Sequence, residues 1–196
     1  MNFTAYVEQE KKKRRLENIE EVRREINSNW VKEKIENHIR AFDGIMSFEE
    51  VKEAILTNVI VASKFCKDPS KQNISEDLAS KVLGIPKLAA QGKNCIRFND
   101  AGDIVSVKGL NTKSADFKYN EYYATQKYTD ANGGAQDNQF ADVVDFLKRG
   151  SIKHKVAAIV DGPFWDKHRP YLEKEFSENP NVLITSITEI TEKIDS

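Results

Sequence analysis

Two side chains in this chain are spaced for phosphodiester chemistry. Asp116 closes the short run Lys113-Ser114-Ala115-Asp116, and Lys127 closes the extended run Tyr122-Tyr123-Ala124-Thr125-Gln126-Lys127. A polar turn containing Gly133 and Gly134 follows and opens a helix. A carboxylate can hold a divalent cation, and an ammonium on the neighbouring strand can polarise water and offset phosphate charge. Hydrolysis of a phosphodiester at a sheet edge needs such a pair. A further acid, Glu76, sits on the first turn of a short helix ahead of the strands. It could reach a metal site as an auxiliary ligand, or simply favour the positive end of its helix.

Composition sets the frame for these residues. With 196 residues, 39% of them hydrophobic and 31% charged, the chain can bury one good core and carry a helical extension. Its 30 Lys plus Arg stand against 31 Asp plus Glu, so no global basic field advertises nucleic acid, although a local patch can still bind phosphates. Cys66 and Cys95 lie far apart, and His38, His154 and His168 are equally scattered, which argues against a structural zinc site or a disulfide scaffold. No apolar stretch reaches signal-peptide or membrane-span length, and the expected location is the cytoplasm, with no membrane partner.

The elements that must position the pair can be read from periodicity. Leu16, Ile19, Val22 and Ile26, then Ile35, Ile39 and Phe42, are spaced by three or four, the mark of a helix broken near Asn27-Ser28-Asn29. Lys11 to Arg15 is a run of five cations within it, either a solvated face or a phosphate-contacting patch. Ser47-Phe48-Glu49-Glu50 reads as a capping box that starts a helix through about Lys64, with Val51, Ile55, Val59 and Ala62 facing the core. Ser75 is placed to cap a short helix from Glu76 to Leu83.

From Cys95 the period changes to that of strands. Residues 96–98 and 104–107 flank a turn at Asn99 to Gly102, and two more strands are expected over 114–119 and 121–128. A helix over 138–148, an apolar strand over 156–160, a helix over about 169–177 and a strand over 182–185 complete the pattern. The expectation is an α/β (α+β) chain: a mixed sheet flanked by helices, with a helical region over 1–68 ahead of a core over 69–196.

Asp116, Lys127 near the end of the next strand, the helix after it, and an apolar strand ending in Asp161-Gly162 ahead of Trp165 together resemble the nuclease core of the PD-(D/E)XK superfamily. Within it, the chain is most similar to type II restriction endonucleases, over roughly residues 74 to 190. Asp116 matches the first acid of the motif, with Ala115 in place of the proline, and Lys127 matches the lysine. Thr125 stands where the motif has a second acid.

The resemblance implies a restriction-endonuclease-like fold and a Mg²⁺-dependent, site-specific hydrolysis of double-stranded DNA. Asp116, Thr125 and Lys127 would form the catalytic set. Asp137 is the favoured replacement acid, with Asp142, Gln126, Thr125 itself or a backbone carbonyl as alternatives; Glu121, about 20 Å from Lys127 along an extended strand, is too far. Asn132, Gly133, Gly134, Gln136, Asn138 and Gln139, with Lys113, form the expected DNA-contacting set, because amides can read adenine and glycines admit a phosphate. A homodimer would cut both strands, with residues 5–42 serving as dimer contact or DNA grip. A repair or junction nuclease of the same superfamily, an inactive DNA binder of that fold, and a helical partner-binding protein are the other readings of the chain.

Overall fold

A computed structural model describes residues 2–41, 43–69, 72–92, 94–106, 112–129 and 136–195, with the side chains of residues 136, 137 and 195 outside that description. The chain divides into two units, residues 8–74 and residues 1–7 with 75–196. The division falls at 74/75 where the sequence places it at 68/69, because the chain beyond Pro69 stays with the helical unit up to Ile74, and the first seven residues belong with the second unit.

The helical unit is built from α1 (Phe3–Arg24) from Glu8 onward, α2 (Asn29–Ala41), α3 (Phe48–Thr57) and α4 (Val59–Phe65). Its core gathers Ile19, Val22, Ile26, Val31, Ile35, Val51, Ile55, Ala62 and Phe65, most of the three-and-four spacing of the sequence turned inward, whereas Leu16, expected on the same face, is exposed. Ser47 caps α3 through a complete capping box with Glu50. The single helix expected through Lys64 is two. Asn58 adopts an extended conformation, and its side chain accepts from the N–H groups of Ile60 and Val61, starting a new helix. The break resets the helical phase, so Val59 is exposed rather than core-facing.

The second unit carries α5 (Ile74–Leu83), β1 (Arg97–Phe98), β2 (Ile104–Val105), β3 (Lys113–Ser114), β4 (Phe117–Tyr119), β5 (Tyr122–Tyr128), α6 (Gln136–Gly150), β6 (Lys155–Asp161), α7 (Pro163–Glu175), β7 (Val182–Thr185) and α8 (Ile190–Asp195). Two sheets form among the described residues, ordered β2-β1-β3 and β4-β5-β6-β7. In the larger, β4 and β5 are antiparallel, while β5, β6 and β7 run parallel with α6 and α7 as the connections. A mixed sheet flanked by helices is therefore present. The strand expected over 114–119 is split: Ala115 N–H donates to Ile96, just ahead of β1 of the smaller sheet, and Asp116 N–H donates to Ala124 in the larger. Adjacent residues thus serve different sheets, and Asp116 occupies the seam.

Helix α7 begins at Pro163, earlier than the expected 169, since proline's fixed φ suits a first helical turn. Gly162 ahead of it has φ +103°, and a Cβ there would lie 2.5 Å from the Thr129 carbonyl oxygen. Only glycine fits that approach. One face of the larger sheet, with Val156, Ala158, Val160 and Ile184, packs on Val143, Phe146 and Leu147 of α6 and Trp165 and Leu172 of α7. Each large apolar side chain buried there contributes about 1.5–3 kcal/mol. The opposite face buries Phe117, Ala124, Ala157 and Ile159, and Phe3 meets Tyr128 edge-on at a centroid distance of 6.4 Å. No helix among the described residues is long and apolar enough to cross a membrane.

Candidate functional site

The seam brings the acid and the lysine together. Phe117 pairs with Ala124, so continuing the antiparallel register by one step sets Asp116 opposite Thr125, with Lys127 two residues further on the same face. Asp116 Oδ2 accepts from the Thr125 hydroxyl at 3.0 Å and from the Gln126 backbone N–H at 2.8 Å, and lies 3.7 Å from Lys127 Nζ. All three contacts fall on one oxygen. Both ionic side chains retain partial exposure, 18% for Asp116 and 29% for Lys127, as a site open to substrate requires.

Glu76, on the first turn of α5, feels this pair. Its carboxyl is pushed above the usual range, first by burial and then by the Asp116 charge, while Lys127 and Lys87 pull it back. Lys87 lies 3.7 Å from Glu76 and 2.7 Å from Asp77, and the next residue, Leu88, donates its N–H to the Asp116 carbonyl at 2.8 Å. The segment after α5 is in this way stitched to the seam. Nothing in the local sequence around Lys87 announces that role, because it depends on a contact across almost thirty residues.

The other candidates are distributed unevenly. Gln126 contributes its backbone N–H, but strand alternation turns its side chain to the opposite face, where it is buried. Glu121 pairs with Lys155 at 2.5 Å, at the far end of β5. Asp142, on α6, accepts from Lys113 at 2.5 Å and does not join Asp116. Asp137 and Gln136 lie in the first turn of α6, with side chains outside those described, and Asn132, Gly133 and Gly134 fall outside the described residues altogether. Asn138 is exposed. Gln139 is engaged within the protein: its side-chain oxygen accepts from the Thr129 hydroxyl at 2.6 Å, whose oxygen in turn accepts from the Trp165 indole N–H at 3.1 Å. That chain ties the end of β5 to α6 and α7.

Beside the seam lies a polar cleft of about 180 Å³, formed by β1, β3, β5 and α6, with Arg97, Lys113, Lys127, Ser114, Thr125 and Asp142 on its walls. Three cations face one carboxylate there. Lys113 also lies 3.5 Å from Asp145, and hydrogen bonding to Asp142 holds its ammonium above its ordinary pKa. Arg97 is the member that sequence reading missed, since a single arginine beside a core phenylalanine in a short strand is unremarkable.

Among the described residues no three His, Cys, Asp or Glu side chains gather to hold a metal. Asp116 and Glu76 are the acids coupled there, and Mg²⁺ commonly takes one or two carboxylates and keeps several waters. The arrangement sets these two acids near an ammonium and a cationic cleft. No protein-family model, curated protein or solved structure matches the chain.

Proposed function

We propose that this chain is a nuclease that hydrolyses phosphodiester bonds of double-stranded DNA with Mg²⁺, a site-specific endonuclease of the type II restriction class working as a two-fold dimer in the cytoplasm. The observation that carries the reading is the convergence of Asp116 and Lys127 on one face of the sheet, with the Lys127 ammonium 3.7 Å from the carboxylate. The order of elements supports it: an antiparallel pair bearing the acid and the lysine, a helix, then a parallel strand.

Asp116 and Glu76 would hold the cation. When bound, Mg²⁺ lowers the pKa of a coordinated water and offsets charge at phosphorus. Lys127 orients the attacking water and neutralises charge that develops on the phosphoryl oxygens. Thr125 anchors the Asp116 carboxylate by donating its hydroxyl proton, a role the acid usual at that position could not fill in its ionised form. Glu76 takes the place of the missing negative charge.

Incubation of the full chain with plasmid DNA and Mg²⁺ is expected to give discrete bands, and D116A or K127A to lower the cleavage rate by about 100-fold or more. A smear would remove site specificity from the reading, and intact plasmid under all conditions would remove hydrolysis. The Thr125 hydroxyl favours one second reading, a DNA-binding protein of this fold without hydrolysis. Calorimetry separates the two: saturable Mg²⁺ uptake lost in D116A belongs to the nuclease, and no uptake to the binder.

A further inference from the structure

The cleft beside the seam does work that the acid and lysine do not account for. Arg97 comes from β1, Lys113 from β3 and Lys127 from β5, so three separate strands place cations around one space of about 180 Å³, well above what a single water needs. Ser114 and Thr112 add hydroxyl groups to the same wall. Cations held this close repel one another, and the protein offsets that repulsion from α6: Asp142 accepts from Lys113 at 2.5 Å and Asp145 stands at 3.5 Å. One guanidinium nitrogen of Arg97 is fixed by donating to the Ala90 carbonyl at 3.1 Å, which orients the fork. A rigid fork, a lysine held by an exchangeable carboxylate and two hydroxyls make a receptor for a tetrahedral oxyanion.

We propose that this cleft binds a backbone phosphate of the DNA next to the one that is cut, an assignment that rests on the nuclease reading for the identity of the ligand. Arg97 and Lys113 grip the phosphate. Asp142 is its internal stand-in: it pairs with Lys113 in the free protein and is displaced when the phosphate arrives. Lys127 lies between the cleft and Asp116, so a phosphate seated on Arg97 and Lys113 sets the neighbouring linkage beside the reacting pair. Arg97 and Lys113 are positioning residues, since neither touches Asp116.

Binding without metal tests this apart from cleavage. Inorganic phosphate titrated into the full ¹⁵N-labelled chain in EDTA should give saturable amide shifts at Arg97, Lys113, Ser114 and Thr125. Anisotropy of a labelled duplex in EDTA, measured across salt, should show R97A and K113A each flattening the slope of log affinity against log salt by about 0.9, the share of one phosphate contact. R97K should recover part of it. D142N should move the other way and tighten phosphate binding several-fold, which damage to the fold would not do, and retained melting temperatures would verify the fold of all four variants. Absence of saturable shifts, shifts centred elsewhere, an unchanged salt slope in R97A and K113A, or unchanged or weaker binding in D142N would overturn the assignment. A chain that binds phosphate in this cleft yet cuts no DNA would refute the nuclease reading and leave the oxyanion receptor standing.

Discussion

At the scale of single residues, two carboxylates show how differently one functional group behaves in two surroundings. Asp116 sits at a half-open seam with a hydroxyl, a backbone N–H and an ammonium around one oxygen. Asp161, at the end of β6, is 8% exposed, and burial pushes its carboxyl up to about 7 despite the Ile187 N–H it accepts and the Arg169 charge nearby. The sign of the consequence follows from linkage. A folded-state pKa above the unfolded value means that the folded chain holds this proton more tightly. The contribution of Asp161 to stability is therefore fully present below about pH 4, declines as pH rises, and is gone above about 7. At roughly 1.4 kcal/mol per pKa unit the change amounts to a few kcal/mol. D161N should accordingly be more stable than the parent chain at pH 8 and should lose the corresponding slope between pH 4 and 7. Urea midpoints across that range check it, and identical pH profiles for the two chains would show that Asp161 does not titrate as its burial dictates.

Elements are decided here by a few backbone events. Asn58 is one: a polar side chain that captures two N–H groups starts a new helix inside what periodicity reads as a single one. Its removal should cost about 1 kcal/mol, so N58A is expected to lower the urea midpoint with an unchanged m-value. No shift in midpoint would mean that α4 forms without its cap. The division at Ala115 and Asp116 is another, since two consecutive N–H groups pair with different strands and stop the chain from continuing as one long strand. Helix α1 illustrates electrostatic damping along an element. In the basic run from Lys11 to Arg15, Lys11 pairs with Glu8, Lys13 with Glu17 and Arg14 with Glu10. Such surface pairs, partly buried for Lys11–Glu8 and Arg14–Glu10, contribute modestly to stability, but they lower the field that the run presents to a phosphate.

For the whole molecule, the proposed substrate has a symmetry of its own. The strands of duplex DNA are antiparallel and related by two-fold axes, while one chain carries one Asp116–Lys127 pair. Cutting both strands at a palindromic site from a single reactive centre would need release and rebinding, whereas two copies related by a two-fold axis reach both together. The chain should sediment at twice its 22.3 kDa mass, at least when a cognate duplex is present. A monomer under both conditions, with linear product arising only by way of nicked plasmid, would remove the dimer from the proposal and keep the chemistry.

Local signals carried much of the architecture. The spacing of Val143 and Leu147, the five-residue apolar run of β6 and the capping box at Ser47 each act over a few residues, where periodicity and caps are physically decided. The approach of Asp116 to Lys127 was legible for the same reason, because a short antiparallel pair fixes its register through its own turn. Sequence reading named Glu76 and Lys113, but only tertiary structure brought Lys87 and Arg97 into the same neighbourhood. Glu76, Lys87, Arg97 and Lys113 arrive from four places separated by loops, and no periodic pattern encodes which loops close on one another. Burial and charge balance settled the outcome: Asp142 was claimed by Lys113, and Gln126 was turned inward by the alternation of its strand.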